Sequence, residues 1–148
     1  MQNVDLSSKI ISILPYSTPF LFVDKIINID SFGITGEYFF KKSEYFYSGH
    51  FVSNPVTPGV ILLETMGQIG AVCYGIYLLD LYDRRFEPLL SNLKCDFYKK
   101  VYPETKVIVI SEKEFYRNGI LRCNIKMEDV NNQLIATTTV SCSFNLLS

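Results

Sequence analysis

The sequence predicts an α+β fold in which a largely antiparallel β-sheet wraps one long, buried α-helix. Three observations predict it. From Val60 to Leu79 apolar residues fall on nearly every helical face, behind a proline-glycine start at Pro58-Gly59. Two strand-like segments precede that stretch and four follow it. Asn118-Gly119, a strong hairpin signal, joins two of the later strands. The chain has 148 residues, enough for one domain with a real core, and no repeat, linker or low-complexity tract divides residues 1–148.

The elements follow in order. A short helix is expected between Val4 and Ser12. A long strand is expected over Pro19 to Asp30 and a second over Gly33 to Lys41. Polar and aromatic loop residues then lead to His50. Thr57 is expected as the N-cap of the central helix, with Pro58 at its first helical position. Leu90 to Lys100 and Thr105 to Phe115 read as strands, the second carrying V-I-V-I. Beyond the Asn118-Gly119 turn, Leu121, Cys123, Ile125 and Met127 alternate with Arg122, Asn124 and Lys126. The last strand sets Leu134, Ala136, Thr138, Val140, Cys142 and Phe144 on one face.

Composition removes several classes of function. A net charge of −1 gives no footprint for nucleic acid. Met1 to Lys9 lacks the charged-then-apolar pattern of a signal peptide. The apolar run Val60–Leu81 is nearly long enough to cross a bilayer, but Glu64 and Gln68 would then lie at lipid depth, and no cluster of basic residues flanks its start. No membrane span is expected. Cys73, Cys95, Cys123 and Cys142 are widely separated and there is a single histidine, so no zinc site is expected. Reduced, buried thiols fit a cytoplasmic protein.

The informative stretch is S-G-H-F-V-S-N-P-V-T-P-G-V-I-L-L-E-T-M-G-Q-I-G-A, Ser48 to Ala71. It holds the only histidine, His50, and fourteen residues later the carboxylate of Glu64 inside an otherwise apolar helix. A charge buried there costs several kcal/mol in order of magnitude, so it must be paired, hydrated in a cleft or protonated. Gln68 falls one turn further along the same face. A base, an acid and a helix start with free N–H groups at Gly59 are the parts of a proton-transfer site. Taken singly, His50 reads as a hydrogen-bonded loop residue, Glu64 as a packed structural carboxylate, and Gly49 and Gly59 as turn glycines. Arg84, Arg85, Lys94, Lys99 and Lys100 likewise read as a solvated face.

The chain resembles the 3-hydroxyacyl-(acyl carrier protein) dehydratases of fatty acid synthesis, FabZ-like enzymes with the hot-dog fold. L-P-Y-S-T-P-F-L-F-V-D-K-I, Leu14 to Ile26, is similar to the family's opening motif L-P-H-R-x-P-F-L-x-V-D-R-V. G-H-F-V-S-N-P-V-T-P-G-V-I-L-L-E-T-M-G-Q, Gly49 to Gln68, is similar to G-H-F-P-x-x-P-x-x-P-G-V-L-x-x-E-A-M-A-Q. D-F-Y-K-K-V-Y-P, Asp96 to Pro103, is similar to the family's basic strand ending. The resemblance implies His50 and Glu64 as the catalytic pair, Gly59 as the backbone donor to the thioester carbonyl, and Gln68 as support for the acid. It implies no metal and no cofactor beyond the phosphopantetheine that carries the substrate. The implied partner is acyl carrier protein, with Lys99 and Lys100 as candidate contacts. The implied assembly is a homodimer or a trimer of dimers, in which each site takes histidine from one subunit and acid from its neighbour.

Several positions depart from the family pattern. Tyr16 stands where the opening motif has histidine, and Ser17-Thr18 replace the pair that carries its arginine. Val52 replaces a proline, Thr57 an apolar residue, and Thr65 and Gly67 the two alanines around Met66. None removes a member of the pair. They bear on the acyl substrate and the pathway, housekeeping or specialised. A hot-dog thioesterase and a non-catalytic partner that binds carrier protein are the alternatives.

Overall fold

The computed structural model describes residues 2–148. Its elements are α1 (Gln2–Ser12), β1 (Lys25–Ile29), β2 (Gly33–Phe40), a 3-10 turn at Tyr45–Ser48, the central helix α2 (Gly59–Leu79), β3 (Arg85–Phe97), β4 (Thr105–Arg117), β5 (Ile120–Asp129) and β6 (Leu134–Leu147). The six strands form one sheet in the order β1-β2-β4-β5-β6-β3, every neighbouring pair antiparallel. The sheet curves round α2, as expected.

Alternation decides which way each strand faces. Leu121, Cys123, Ile125 and Met127 of β5 are buried, as are Ala136, Thr138, Val140 and Cys142 of β6. They meet Met66, Ile69, Val72, Cys73, Tyr74 and Ile76 of α2 in one core. Thr138 is tolerated inside because its hydroxyl donates to the Lys94 carbonyl at 2.7 Å. Asn118 (φ 53°) and Gly119 (φ 75°) both sit in the left-handed region, the pair of conformations a two-residue type I′ hairpin needs.

The helix is long and apolar enough to cross a membrane by length and composition, but here the sheet surrounds it. Its glycines explain how closely the two pack. A Cβ at Gly70 would come within 2.7 Å of Ile125 Cδ1, and one at Gly75 within 2.0 Å of Phe144 Cζ. Near Gly70 the helix widens to π geometry over Gln68–Cys73. There Ser111 of β4 donates its hydroxyl to the Gly70 carbonyl at 2.8 Å. A side chain entering the helical ladder is a known cause of such a bulge. The helix stops at Asp80, whose left-handed conformation (φ 53°) lets the Leu81 N–H reach back to the Ile76 carbonyl.

Two strand expectations are corrected. Pro19 to Asp24 is not strand: β1 begins only at Lys25. The backbone groups of Phe20 and Phe22 are taken by the Gln68 side chain of α2 instead of a neighbouring strand. At the other end, β3 starts at Arg85 and finishes at Phe97, so Lys99 and Lys100 lie in a loop rather than on a strand. Pairing with β6 ends because the Tyr98 and Lys99 N–H groups both turn to the Ile135 carbonyl. Pro88 is accommodated because β3 is an edge strand, where a missing N–H faces away from the ladder.

Two outcomes are expected. Gly75→Ala forces its new methyl into the Phe144 ring and lowers stability by about 1–3 kcal/mol, read as a fall of several degrees in Tm. The second concerns the thiols. Burial pushes Cys123 up to about 11 and Cys142 up to about 12, and Cys73 higher still. Ellman's reagent at about pH 8 is therefore expected to spare these three until denaturant is added. By the same shifts, stability is full below the unfolded thiol value of about 8.5 and falls as pH rises toward the folded values, which a pH series of melting curves checks.

Candidate active site

Two clusters of candidate functional side chains lie at different places along α2, one around His50 and one around Glu64.

At the base end, the 3-10 turn delivers the chain to Gly49 and His50, whose N–H groups both bond the Phe46 carbonyl. His50 and Val56 then clasp each other. The Val56 N–H donates to the His50 carbonyl at 2.8 Å, and His50 Nδ1 lies 2.8 Å from the Val56 carbonyl. A carbonyl only accepts, so Nδ1 carries a proton, and Nε2 is the ring nitrogen left without a partner among the described residues. The imidazole is half-buried and stacks on Phe51, ring centroids 3.9 Å apart.

The next residues set the start of α2, and here the predicted cap is corrected. Pro58, not Thr57, is the N-cap, and it supplies no side-chain bond. Thr57 is drawn away on both counts: its hydroxyl meets the Tyr47 hydroxyl at 2.6 Å and its N–H donates to the Val101 carbonyl at 2.8 Å. Ile61 and Leu62 both donate to the Pro58 carbonyl. Among the described residues, the Gly59 and Val60 N–H groups have no acceptor, so the positive end of the helix is open. The Phe97 ring covers Gly59 so closely that a Cβ there would approach within 3.1 Å of it. His50, Gly59, Phe97, Tyr98, Lys99 and Lys100 all line one cleft of about 350 Å³. The Thr57–Val101 bond is what brings the lysine loop to that cleft.

The two lysines differ. Lys99 is engaged by the Asp129 carboxylate at 2.6 Å and by the Gln133 side chain. The bond from Lys99 holds the Asp129 carboxyl below the usual carboxylate range. Lys100 forms no ion pair among the described residues.

At the acid end, Gln68 is fully buried and its amide is used completely. Its Oε1 accepts the Phe22 N–H at 2.8 Å, while Nε2 donates to the Phe20 carbonyl at 2.9 Å and to Glu64 Oε2 at 3.0 Å. The amide cannot be reversed, because an N–H must meet an oxygen and a carbonyl must meet an N–H. Glu64, half-buried one turn before it, is thereby aimed into an apolar cavity of about 550 Å³. Tyr16 and Phe20 cover that cavity, with Leu89, Leu90 and Leu93 of β3 along one wall. Burial, and next the nearby Glu64 carboxylate, push the Tyr16 phenol well above its ordinary value, so it stays a neutral donor.

His50, Gly59, Lys99 and Lys100 are thus brought together around one cleft, and Gln68 is bonded to Glu64, but Glu64 lines a separate cavity of the same chain. No sequence pattern marks the Val56 carbonyl as the group that sets the imidazole tautomer, nor Phe97 as the ring over Gly59. The aromatics around the two clusters take different places. Phe20 covers the acid cavity, Phe22 and Phe46 belong to the core, and Phe51 supports His50.

A FabA-like domain family matches residues 14–139. The chain is 38% identical over 114 residues to the 3-hydroxyacyl-[acyl-carrier-protein] dehydratase FabZ of Caldicellulosiruptor bescii, spanning 74% of this chain and 75% of that protein. It is 30% identical over 142 residues to the enzyme of the same name from Xanthomonas campestris pv. campestris, spanning 92% and 90%. Among solved structures, it is similar to the dehydratase heterocomplex ApeI:P of Xenorhabdus doucetiae, with a TM-score of 0.75 at 10% identity over 90% of this chain and 89% of that one. It is similar also to the PaaI protein of E. coli, with a TM-score of 0.61 at 13% identity over 80% of each chain. At such identities the structural likeness concerns the fold, which is the hot-dog fold.

Gln68→Leu is expected to strand the Phe22 N–H, the Phe20 carbonyl and one oxygen of Glu64, each costing about 1–3 kcal/mol when buried without a partner. Denaturant unfolding measures the loss, and faster hydrogen exchange at the Phe22 amide locates it.

Proposed function

The chain belongs to the FabA-like family and is a 3-hydroxyacyl-[acyl-carrier-protein] dehydratase, a hydro-lyase of fatty acid synthesis; we propose that His50 and Glu64 carry its chemistry from opposite subunits of a homodimer. The observation that carries this is the His50–Val56 clasp, which leaves Nε2 as the free base in a cleft shared with the open N-terminus of α2.

The reaction breaks C2–H and C3–O and forms C2=C3, releasing water. His50 Nε2 takes the C2 proton. Negative charge gathers on the thioester carbonyl oxygen, and the Gly59 and Val60 N–H groups stabilise it with the helix dipole behind them. Glu64 delivers a proton to the hydroxyl leaving C3, and Gln68 keeps the carboxyl aimed. The steps are redox-neutral and use protons held by the protein, so no cofactor enters beyond the carrier's phosphopantetheine.

The separation of the two clusters within one chain supports a shared site. β3 is the last strand of the sheet, with its outer edge unpaired, and Leu89, Leu90 and Leu93 on it are 41–56% exposed beside the Glu64 cavity. A long apolar edge of this kind fits a second copy of the same strand. In that dimer, His50 of one subunit meets Glu64 of the other. Lys100, with no ion-pair partner among the described residues, is the proposed contact for the phosphate of the carrier's phosphopantetheine, and Lys99 frames it from its Asp129 anchor. A cytoplasmic location fits the four free cysteines.

His50→Ala and Glu64→Gln are each expected to lower enoyl formation by about 10²–10⁴-fold, the range of one acid–base group. Refolding the two variants together re-forms one complete site in each mixed dimer, so statistical mixing restores about a quarter of the activity. Mixtures as inactive as their components would defeat the shared site. Free thiol release without enoyl product, measured by mass spectrometry, would defeat the dehydratase assignment in favour of a thioesterase.

A further inference from the structure

Past Glu64 the acid cavity runs on along α2. On its helix side it is lined by Gly67, Ala71 and Val72, and on its sheet side by Val140 and Cys142 of β6. Glu64 and Ala71 are seven positions apart on the helix, a run of about 10 Å.

Among the described residues of this chain, nothing requires glycine at position 67. Its backbone is ordinary helix (φ −67°, ψ −43°), open to any residue. A Cβ built on it meets no atom within 4 Å, whereas Gly70 and Gly75 are pressed against the sheet. A glycine inside a helix costs about 1 kcal/mol relative to alanine, and at Gly67 neither conformation nor packing offsets that cost. What the missing side chain leaves is free space on the helix side of the cavity, one turn from the acid.

We propose that Gly67 is a specificity-determining residue: its bare backbone keeps open the channel through which a long acyl chain passes Glu64 and runs over Ala71 toward Val72 and Cys142. This rests on the dehydratase assignment above. A side chain at Gly67 narrows the channel beside the first carbons beyond C3, so it obstructs long chains and not those that end there.

The test compares wild type, Gly67→Ala and Gly67→Leu on 3-hydroxybutanoyl and 3-hydroxydodecanoyl carrier thioesters. Calorimetric binding of butanoyl- and dodecanoyl-pantetheine amides is measured in parallel, and melting curves confirm folding. The expected result is a fall of about tenfold or more in the long-to-short ratio of kcat/KM for Gly67→Leu, with Gly67→Ala between it and wild type. The long-chain amide is expected to bind Gly67→Leu more weakly by a similar factor. Ratios equal to wild type in both kinetics and binding would overturn the proposal. A wild type that binds the long amide, loses that preference in Gly67→Leu, and dehydrates neither thioester would support the channel while overturning the reaction.

Discussion

One buried amide holds the acid end together. Gln68 has its carbonyl and both its N–H donors engaged, each by a group that admits only one role. Because it bonds the backbone of Phe20 and Phe22, the opening segment is lifted off the sheet and laid over the helix. Because it also bonds Glu64, the carboxyl cannot swing back among the side chains of the core. The cavity cover, the direction of the acid and the loss of a strand before Lys25 are three consequences of the same side chain. The neighbouring π segment, with Ser111 bonded to the Gly70 carbonyl, shows that the same stretch of helix is further tied to the sheet by polar contact.

The base end is built on the opposite principle, from backbone rather than side chains. The His50–Val56 clasp and the Thr57–Val101 bond fold a short loop so that the imidazole, the first turn of α2 and the Lys99-Lys100 loop share one cleft. Its donors remain free because Pro58 caps the helix without a side-chain acceptor. A serine or aspartate cap would stabilise the helix by roughly 1 kcal/mol and occupy the N–H groups that the proposed chemistry needs. In the proposed mechanism the open helix start serves the site at the expense of that stability.

The central helix, the later strands and the turn at Asn118-Gly119 were legible because each is a local pattern that tertiary structure reinforces. Leu121 to Met127 point inward as their alternation requires, and Asn118 and Gly119 adopt the conformations their turn requires. The segment from Pro19 to Asp24 was misread because its apolar residues look strand-like, while its hydrogen bonds are claimed by a residue 46 and 48 positions away. Thr57 was misread for the same reason: a good local cap loses to partners at Tyr47 and Val101. His50, Glu64 and Gln68 stood out in the sequence as polar residues in apolar surroundings. The roles of Val56 and Phe97 did not, since one acts through a carbonyl that every residue has and the other through a ring like many in the core.

The fold alone does not choose between removing water and cleaving a thioester, since hot-dog structures named as thioesterases share it. The choice lies in where the proton-transferring groups stand relative to the carbonyl. Hydrolysis needs a water directed at the thioester carbon itself. Elimination needs a base for C2, an acid for C3 and a sink for charge on the carbonyl oxygen. Here the only imidazole shares its cleft with unpaired amide donors, while the carboxyl opens into a long apolar cavity that suits the chain beyond C3. In the proposed mechanism a carboxyl in that position serves the carbon chain rather than the thioester, and the division of labour follows the order of atoms in a 3-hydroxyacyl group.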